Sequence, residues 1–276
     1  MFHKKALTIS NEAYESLIVA VIPEMDIKAY LERIKYRGSL TPTAETLRNL
    51  QVAHLSAVPF ENLSIQARQL IILEDEALFA KIVKQGRGGF CYEVNGLFAA
   101  FLRTLEFKVE MLSAEVASNE GGFGPKFDHM TLIVTLDNRW LVDVGFGDSF
   151  IEPLLLDERG EQMQGGRAYK IIPDCGYLIL MQRENNGEWK AQYRFTLQPY
   201  EYADYGEMCH YHQTSPNSHF TQRRICSRLS EEGRMTLSEM RFITTSKNGE
   251  RQERILENQA EYEAILSEHF GIAMPS

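Results

Sequence analysis

The most reactive group in this chain sits in the string Arg87-Gly88-Gly89-Phe90-Cys91-Tyr92-Glu93-Val94-Asn95, where a glycine turn runs into an apolar pattern of helical period. Val94, Leu97, Phe98, Phe101, Leu102 and Leu105 recur every three or four residues, so the spacing predicts a helix that starts within a residue or two of Cys91. A helix start carries about half a positive charge and free N–H groups, which favour an anionic sulfur over a thiol. Arg87 would add a full charge nearby. A structural cysteine in an ordinary core helix would leave the same local pattern, so the thiol needs partners before it reads as a nucleophile.

The partners lie downstream. His129 opens the strand-like run His129-Met130-Thr131-Leu132-Ile133-Val134, and Asp143 sits inside Leu141-Val142-Asp143-Val144, with Asp137-Asn138-Arg139 as the turn between them. A cysteine nucleophile needs a base to take its proton, and the base needs a carboxylate to hold its tautomer and stabilise the imidazolium. Cys91, His129 and Asp143 meet that need. Asp143 within an apolar run also calls for a buried partner. A tight turn at 137–139 leaves His129 and Asp143 out of direct opposition, so the pattern predicts a bulge or a wider turn between the two strands. A lone His at a strand start can equally be a core or edge residue.

These elements must be positioned by the rest of the chain. Asp26 is a cap before Tyr30, Leu31 and Ile34, and Thr41 or Thr43 opens a second helix through Leu47 and Leu50. The Cys91 helix completes a helical unit. From about residue 107 the pattern turns to strands: 108–112, the His129 and Asp143 runs, 177–181, and 189–197 after Asn185-Asn186-Gly187. That is a meander or barrel. An irregular segment near 214–220, a hairpin over 242–255 around Asn248-Gly249, and a helix from about Gln259 to Phe270 complete the chain. The pattern divides the chain into 1–106, helical and carrying the nucleophile, with 1–25 as an extension; 107–205, strands carrying His and Asp; and 206–276, a mixed remainder.

Taken together, Arg-Gly-Gly-x-Cys-x-Glu-x-Asn, the later His and Val-Asp-x-Gly-Phe-Gly resemble the arylamine N-acetyltransferases. Tyr30-Leu31-Glu32-Arg33-Ile34, His54, Pro59-Phe60-Glu61-Asn62-Leu63 and Gln213-Thr214-Ser215-Pro216-Asn217-Ser218 match further motifs, so the resemblance spans about residues 26 to 245. It implies an α+β fold with a cysteine-protease-like (papain/transglutaminase-like) core, and transfer of acetyl from acetyl-coenzyme A to an arylamine or arylhydrazine through an acetyl-cysteine. It makes Cys91, His129 and Asp143 the triad. It also implies three units, a helical bundle (1–106), a β-barrel (107–205) and an α/β lid (206–276), with Phe60 and Phe146 lining the acceptor site and Tyr211, Asn217 and Ser218 contacting coenzyme A. Phe127, an aromatic beside the motif residues, is a further candidate wall for the acceptor, and Gly145 is a candidate for close backbone approach of the coenzyme. Gly147 would help the coenzyme approach, and Lys126, Arg223 and Arg224 are candidates for its phosphates. Glu93 and Asn95 would support the site by hydrogen bonding. The Gly-rich stretch 118–126 is expected to be a flexible loop that bears on acceptor preference. A Cys-His-Asp hydrolase, or an amide synthase acting on a polyketide thioester, would use the same residues.

Bulk properties set outer limits. The 276 residues, 44% of them hydrophobic, can bury a sizeable core. A net charge of −9 without a basic cluster argues against a nucleic-acid partner. Cys91, Cys175, Cys209 and Cys226 have no paired Cys-x-x-Cys spacing, which argues against a zinc site and for a reduced, cytoplasmic chain. The apolar run 17–22 is too short to span a membrane, and Met25 is a candidate native start.

Overall fold

A computed structural model describes residues 25–118, 120–185 and 187–273. The expectations for the 1–25 extension and for the apolar run at 17–22 fall outside these residues, Met25 excepted.

The chain begins with helix α1 (Ile27–Arg33), capped by Asp26 through the Ala29 N–H, and α2 (Ala44–Ala57), capped by Thr43 through Thr46. Short strand β1 (Phe60–Glu61), α3 (Leu63–Gln66) and α4 (Asp75–Phe79), which runs into a π-helical turn (Ala80–Lys84), lead to α5 (Cys91–Thr104). Leu97, Phe98, Phe101 and Leu102 on α5 are fully buried, each worth roughly 1.5–3 kcal/mol relative to exposure. The Arg33 guanidinium fixes the approach to this helix. It donates to the carbonyls of Ile82, Ala57, Gly86 and Arg87 at 2.7–3.0 Å, so the turn before Cys91 is held from behind.

Strands β2 (Lys108–Val116), β3 (His129–Thr135), β4 (Arg139–Val142), β5 (Leu154–Leu155), β6 (Gln162–Gln164), β7 (Arg167–Asp174), β8 (Tyr177–Glu184) and β9 (Lys190–Tyr200) form an antiparallel sheet in the order β5-β4-β3-β2-β9-β8-β7-β6. It is nearly closed into a barrel. Between its two edge strands, Gln162 and Gln164 substitute side-chain amides for ladder bonds: Gln162 exchanges two with Leu155, and Gln164 bonds Ile151 and Glu152. Alternate residues of β3 and β4 serve two cores. Ile133 and Leu141 face Tyr169, Leu180 and Phe195 inside the barrel, whereas Met130, Leu132 and Val142 pack with α5. Burial on both faces explains why these strands read as continuous apolar runs.

A 3₁₀ turn (Tyr202–Tyr205), α6 (Gly206–Thr214) and α7 (His219–Gln222) lead to a second sheet: β1 pairs with β10 (Ile225–Ser230), followed by β11 (Gly233–Ser238), β12 (Arg241–Ser246) and β13 (Arg251–Ile255). Helix α8 (Gln259–Phe270) packs Tyr262, Leu266 and Phe270 against Leu237 and Cys226. The hairpin over β12–β13 and the last helix match the sequence pattern. Strands β10 and β11 and helix α6 had no counterpart in it. The mixed α+β class with a barrel agrees with expectation.

Among the described residues, no helix is long and apolar enough to cross a membrane, no group of His, Cys, Asp and Glu is arranged to hold a metal, and all four cysteines are free.

Candidate active site

Cys91 is the first residue of α5, 2% exposed, where the helix periodicity placed it. The helix start is capped by Glu93, whose carboxylate accepts the Phe90 N–H at 3.1 Å and pairs with Lys81 at 2.6 Å. His129 opens β3 and Asp143 follows β4, and the His129 Nε2 lies 2.7 Å from Asp143 Oδ2, both side chains buried.

The expected bulge between β3 and β4 is absent. Their ladder is regular from Thr135↔Arg139 to Leu132↔Val142, and continuing it sets Asp143 across from Thr131, two positions from His129 and on the same face. Diagonal neighbours of this kind are within reach of a long side chain, so the imidazole spans the offset. The irregularity near this site lies instead in the β2–β9 ladder, where Leu112↔Pro199 is followed by Ala114↔Phe195 and the extra residues fall on β9; opposite them on β2 the Ser113 hydroxyl accepts the Phe127 N–H at 2.7 Å.

Asn95, one turn along α5 from Cys91, ties the pieces together. Its amide donates to the Met130 carbonyl at 2.7 Å and to Asp143 Oδ1 at 2.9 Å, and its oxygen accepts the Val144 N–H at 2.8 Å. Asp143 also accepts the Gly145 N–H at 2.8 Å and the Tyr193 hydroxyl at 3.1 Å. Burial alone would raise the Asp143 carboxyl. The His129 charge and the hydrogen bonds from His129, Asn95 and Gly145 outweigh it and hold the group below the usual carboxylate range. A carboxylate only accepts, so the ring nitrogen facing it, Nε2, is the one that donates, and in the neutral imidazole this arrangement leaves the lone pair on Nδ1.

Cys91 is not ionised by its surroundings in the way the sequence suggested. Burial pushes the thiol well up, Asp143 and Asp128 push the same way, and the hydrogen bond from the Met130 amide offsets only part. Arg87 adds no net charge, because Nε and Nη2 both bind buried Glu61 at 3.0 and 2.8 Å. Ionisation here therefore requires an adjacent group to accept the proton.

The other expected site residues separate. Phe146 stands edge-on to His129, with ring centroids 5.1 Å apart, and Phe60 is half-buried beside Gly147. Phe127 is drawn elsewhere: its ring packs on Tyr200 and Tyr205. At Gly145 a Cβ would lie 2.8 Å from Cys91 Cα and 2.7 Å from the Asn95 amide, so glycine is what lets this backbone lie against the helix start. Gly147 has φ +87°, and a Cβ there would meet the Phe60 ring only at an ordinary contact distance of 3.6 Å, so its glycine answers to backbone conformation. Ser218 is 2% exposed, and its hydroxyl accepts the Phe220 N–H and meets His212 Nδ1 at 3.1 Å, which turns it toward the protein. Tyr211 and Asn217 are exposed. Arg224 is occupied by Glu239 and the Tyr262 ring, while Lys126 and Arg223 are exposed. The described part of the Gly-rich stretch is a loop pinned by an Ala117↔Phe123 bridge and by Arg194 over the Phe123 ring. Tyr193 was not found from sequence, because a tyrosine in a barrel strand carries no motif.

The N-acetyltransferase family profile matches residues 43–276. The chain is 33% identical to human arylamine N-acetyltransferase 1, with 91% of this chain and 95% of that one covered. It is 31% identical to the proansamycin X synthase of Amycolatopsis mediterranei, covering 88% and 95%. Among solved structures, the Mycobacterium marinum arylamine N-acetyltransferase in complex with CoA superposes with a TM-score of 0.84 at 31% identity, covering 90% and 93%. With a profile match over most of its length and relatives of this similarity, the chain belongs to the arylamine N-acetyltransferase family.

Proposed function

We propose that this chain transfers an acetyl group from acetyl-coenzyme A to the nitrogen of an arylamine or arylhydrazine, in two half-reactions joined by an acetyl-Cys91 thioester. The supporting observation is the His129–Asp143 bond, at 2.7 Å, tied through Asn95 to the helix that begins at Cys91. In the first half-reaction Cys91 Sγ gives its proton to His129 Nδ1 and attacks the thioester carbonyl. The carbon–sulfur bond of the donor breaks, and the departing thiolate takes the proton back from His129. In the second, the amine nitrogen attacks acetyl-Cys91, His129 accepts the nitrogen's proton, and the Cys91 thiolate leaves and is reprotonated. Asp143 holds the imidazole in one tautomer and stabilises its charged form throughout.

An arylamine suits this machinery. Resonance lowers its basicity, so its nitrogen stays neutral and nucleophilic near pH 7. Phe146 beside His129 and Phe60 beside Gly147 offer the flat apolar walls such a ring needs. Exposed Tyr211 and Asn217 are available to the coenzyme, and the M. marinum relative's complex with CoA supports that co-substrate. In this reading residues up to 106 supply the thiol, 107–205 the base and carboxylate, and 206–276 a lid.

Intact-mass measurement tests it. Acetyl-coenzyme A alone should add one acetyl group, absent in Cys91→Ser, and an arylamine should discharge it. Equal discharge by water would indicate a hydrolase. Likeness to the proansamycin X synthase supports a second reading, amide formation from a polyketide thioester, which would leave the protein unlabelled by acetyl-coenzyme A.

A further inference from the structure

A cavity of about 820 Å³ opens where the helices, the barrel sheet and the second sheet meet, and Cys91, His129, Phe60 and Phe146 do not line it. Its wall includes Lys35 from the helical side, Ser149 and Arg167 from the barrel, and Arg228, Arg234 and Lys247 from the second sheet. Five cationic and three acidic side chains line it, in a chain whose net charge is −9.

The acids do not balance the cations one for one. Asp148 receives Arg167 at 2.6 and 3.1 Å and Arg234 Nε at 2.9 Å, so one carboxylate is shared by two guanidiniums; Arg167 also reaches Glu184 at 3.0 Å. Arg228 faces no described acid. Its Nη2 donates to the His269 carbonyl at 2.6 Å, and its buried Nε has no partner among the described residues. Ser149 is 7% exposed, and its Oγ is likewise without a partner. Burial pushes the Arg228 guanidinium down; it does the same at Arg234, where Asp148 only partly offsets burial and the neighbouring Arg167.

Buried donors are rarely left unpaired in native proteins, because each stranded group costs free energy. A concavity of metabolite size lined by more cationic than acidic side chains, two of whose lining residues keep a guanidinium N–H and a hydroxyl unpaired, has the chemistry to hold an oxyanion. We propose that this cavity is a second ligand site, separate from the Cys91 site, which takes a small molecule through a phosphate or carboxylate group using Arg228 Nε and the Ser149 hydroxyl. Because three structural units form its wall, a bound ligand would brace them against one another. The inference does not depend on the acetyltransfer reading.

Thermal unfolding of the full chain tests it, with inorganic phosphate and citrate as probes and sodium chloride at matched ionic strength as control. At ten times its Kd the effective anion should raise Tm by about 3 °C above chloride. A larger rise with phosphate assigns a phosphoryl ligand, and a larger rise with citrate a carboxylate one. Arg228→Met and Ser149→Ala should each weaken binding at least tenfold, and Cys91→Ser should leave it unchanged. Since Arg228 also holds the His269 carbonyl, Ser149→Ala, which removes no described contact, is the deciding variant. Undiminished binding by Ser149→Ala, displacement of the anion by acetyl-coenzyme A, or Tm values no higher than in chloride would each overturn the proposal.

Discussion

The Asn95 side chain reaches from the Cys91 helix to the Asp143 carboxylate at 2.9 Å and, with the same amide, to the carbonyl of the residue after His129. One amide thus sets the spacing of three groups that the fold takes from different elements. Asn95→Ala should take this partner from the Met130 carbonyl and the Val144 N–H, at about 1–3 kcal/mol for each group left unsatisfied, and remove one of the four donors to Asp143. Urea unfolding should report the lost stability, and acetyl transfer at a temperature where the variant stays folded should fall at least tenfold.

Burial pushes the Cys91 thiol up, so its reactivity rests on His129 taking the proton. In His129→Gln, alkylation by iodoacetamide at pH 7 should slow at least a hundredfold and keep rising with pH beyond 9. The parent should plateau at lower pH, where the thiolate–imidazolium pair has formed. Superimposable pH profiles for the two proteins would contradict this dependence.

The two glycines of Gly145-Phe146-Gly147 should respond differently to alanine. At Gly145 a methyl group would press on the Cys91 backbone and the Asn95 amide, so transfer activity should drop more than tenfold. At Gly147 the nearest atom would be 3.6 Å away on Phe60, and the φ of +87° leaves mainly conformational strain, about 1 kcal/mol of stability with activity largely kept. Paired kcat and urea measurements separate the two effects.

His54 gives the fold an acid-sensitive point. It is fully buried, shares a hydrogen bond between Nδ1 and the Tyr30 hydroxyl (2.8 Å), and burial lowers its pKa to about 3. Its folded value is depressed, so the unfolded chain binds the proton first. The stability contribution is complete above pH 6.5 and is lost progressively as pH falls toward 3. Between pH 6.5 and 5 the loss should reach about 2 kcal/mol. Urea midpoints at the two pH values should show this slope, and His54→Gln should reduce it.

Much of the candidate site was legible in the sequence because its chemistry is carried by rare residue types at helix and strand starts: Cys91 after a glycine turn, His129 at the head of an apolar run, and Asp143 inside one. The means by which they meet was less legible. A diagonal strand contact depends on register, and strictly local turn geometry suggested a bulge that the imidazole's length makes unnecessary. Arg87 reads as free charge in a linear string, and only the fold brings Glu61 against it. The second sheet was hidden for a related reason: β10 and β11 place Ser227 and Arg234 among their buried positions, which interrupts the apolar alternation that marks a strand.

The order of these parts along the chain has a consequence for biosynthesis. The thiol, at position 91, leaves the ribosome well before His129 and Asp143, and the Tyr193 hydroxyl that completes the hydrogen-bond shell of Asp143 follows later still. A nascent chain halted before residue 193 holds the sulfur without its finished proton relay. Premature termination therefore yields fragments whose cysteine has the reactivity of an ordinary thiol and not that of the assembled site.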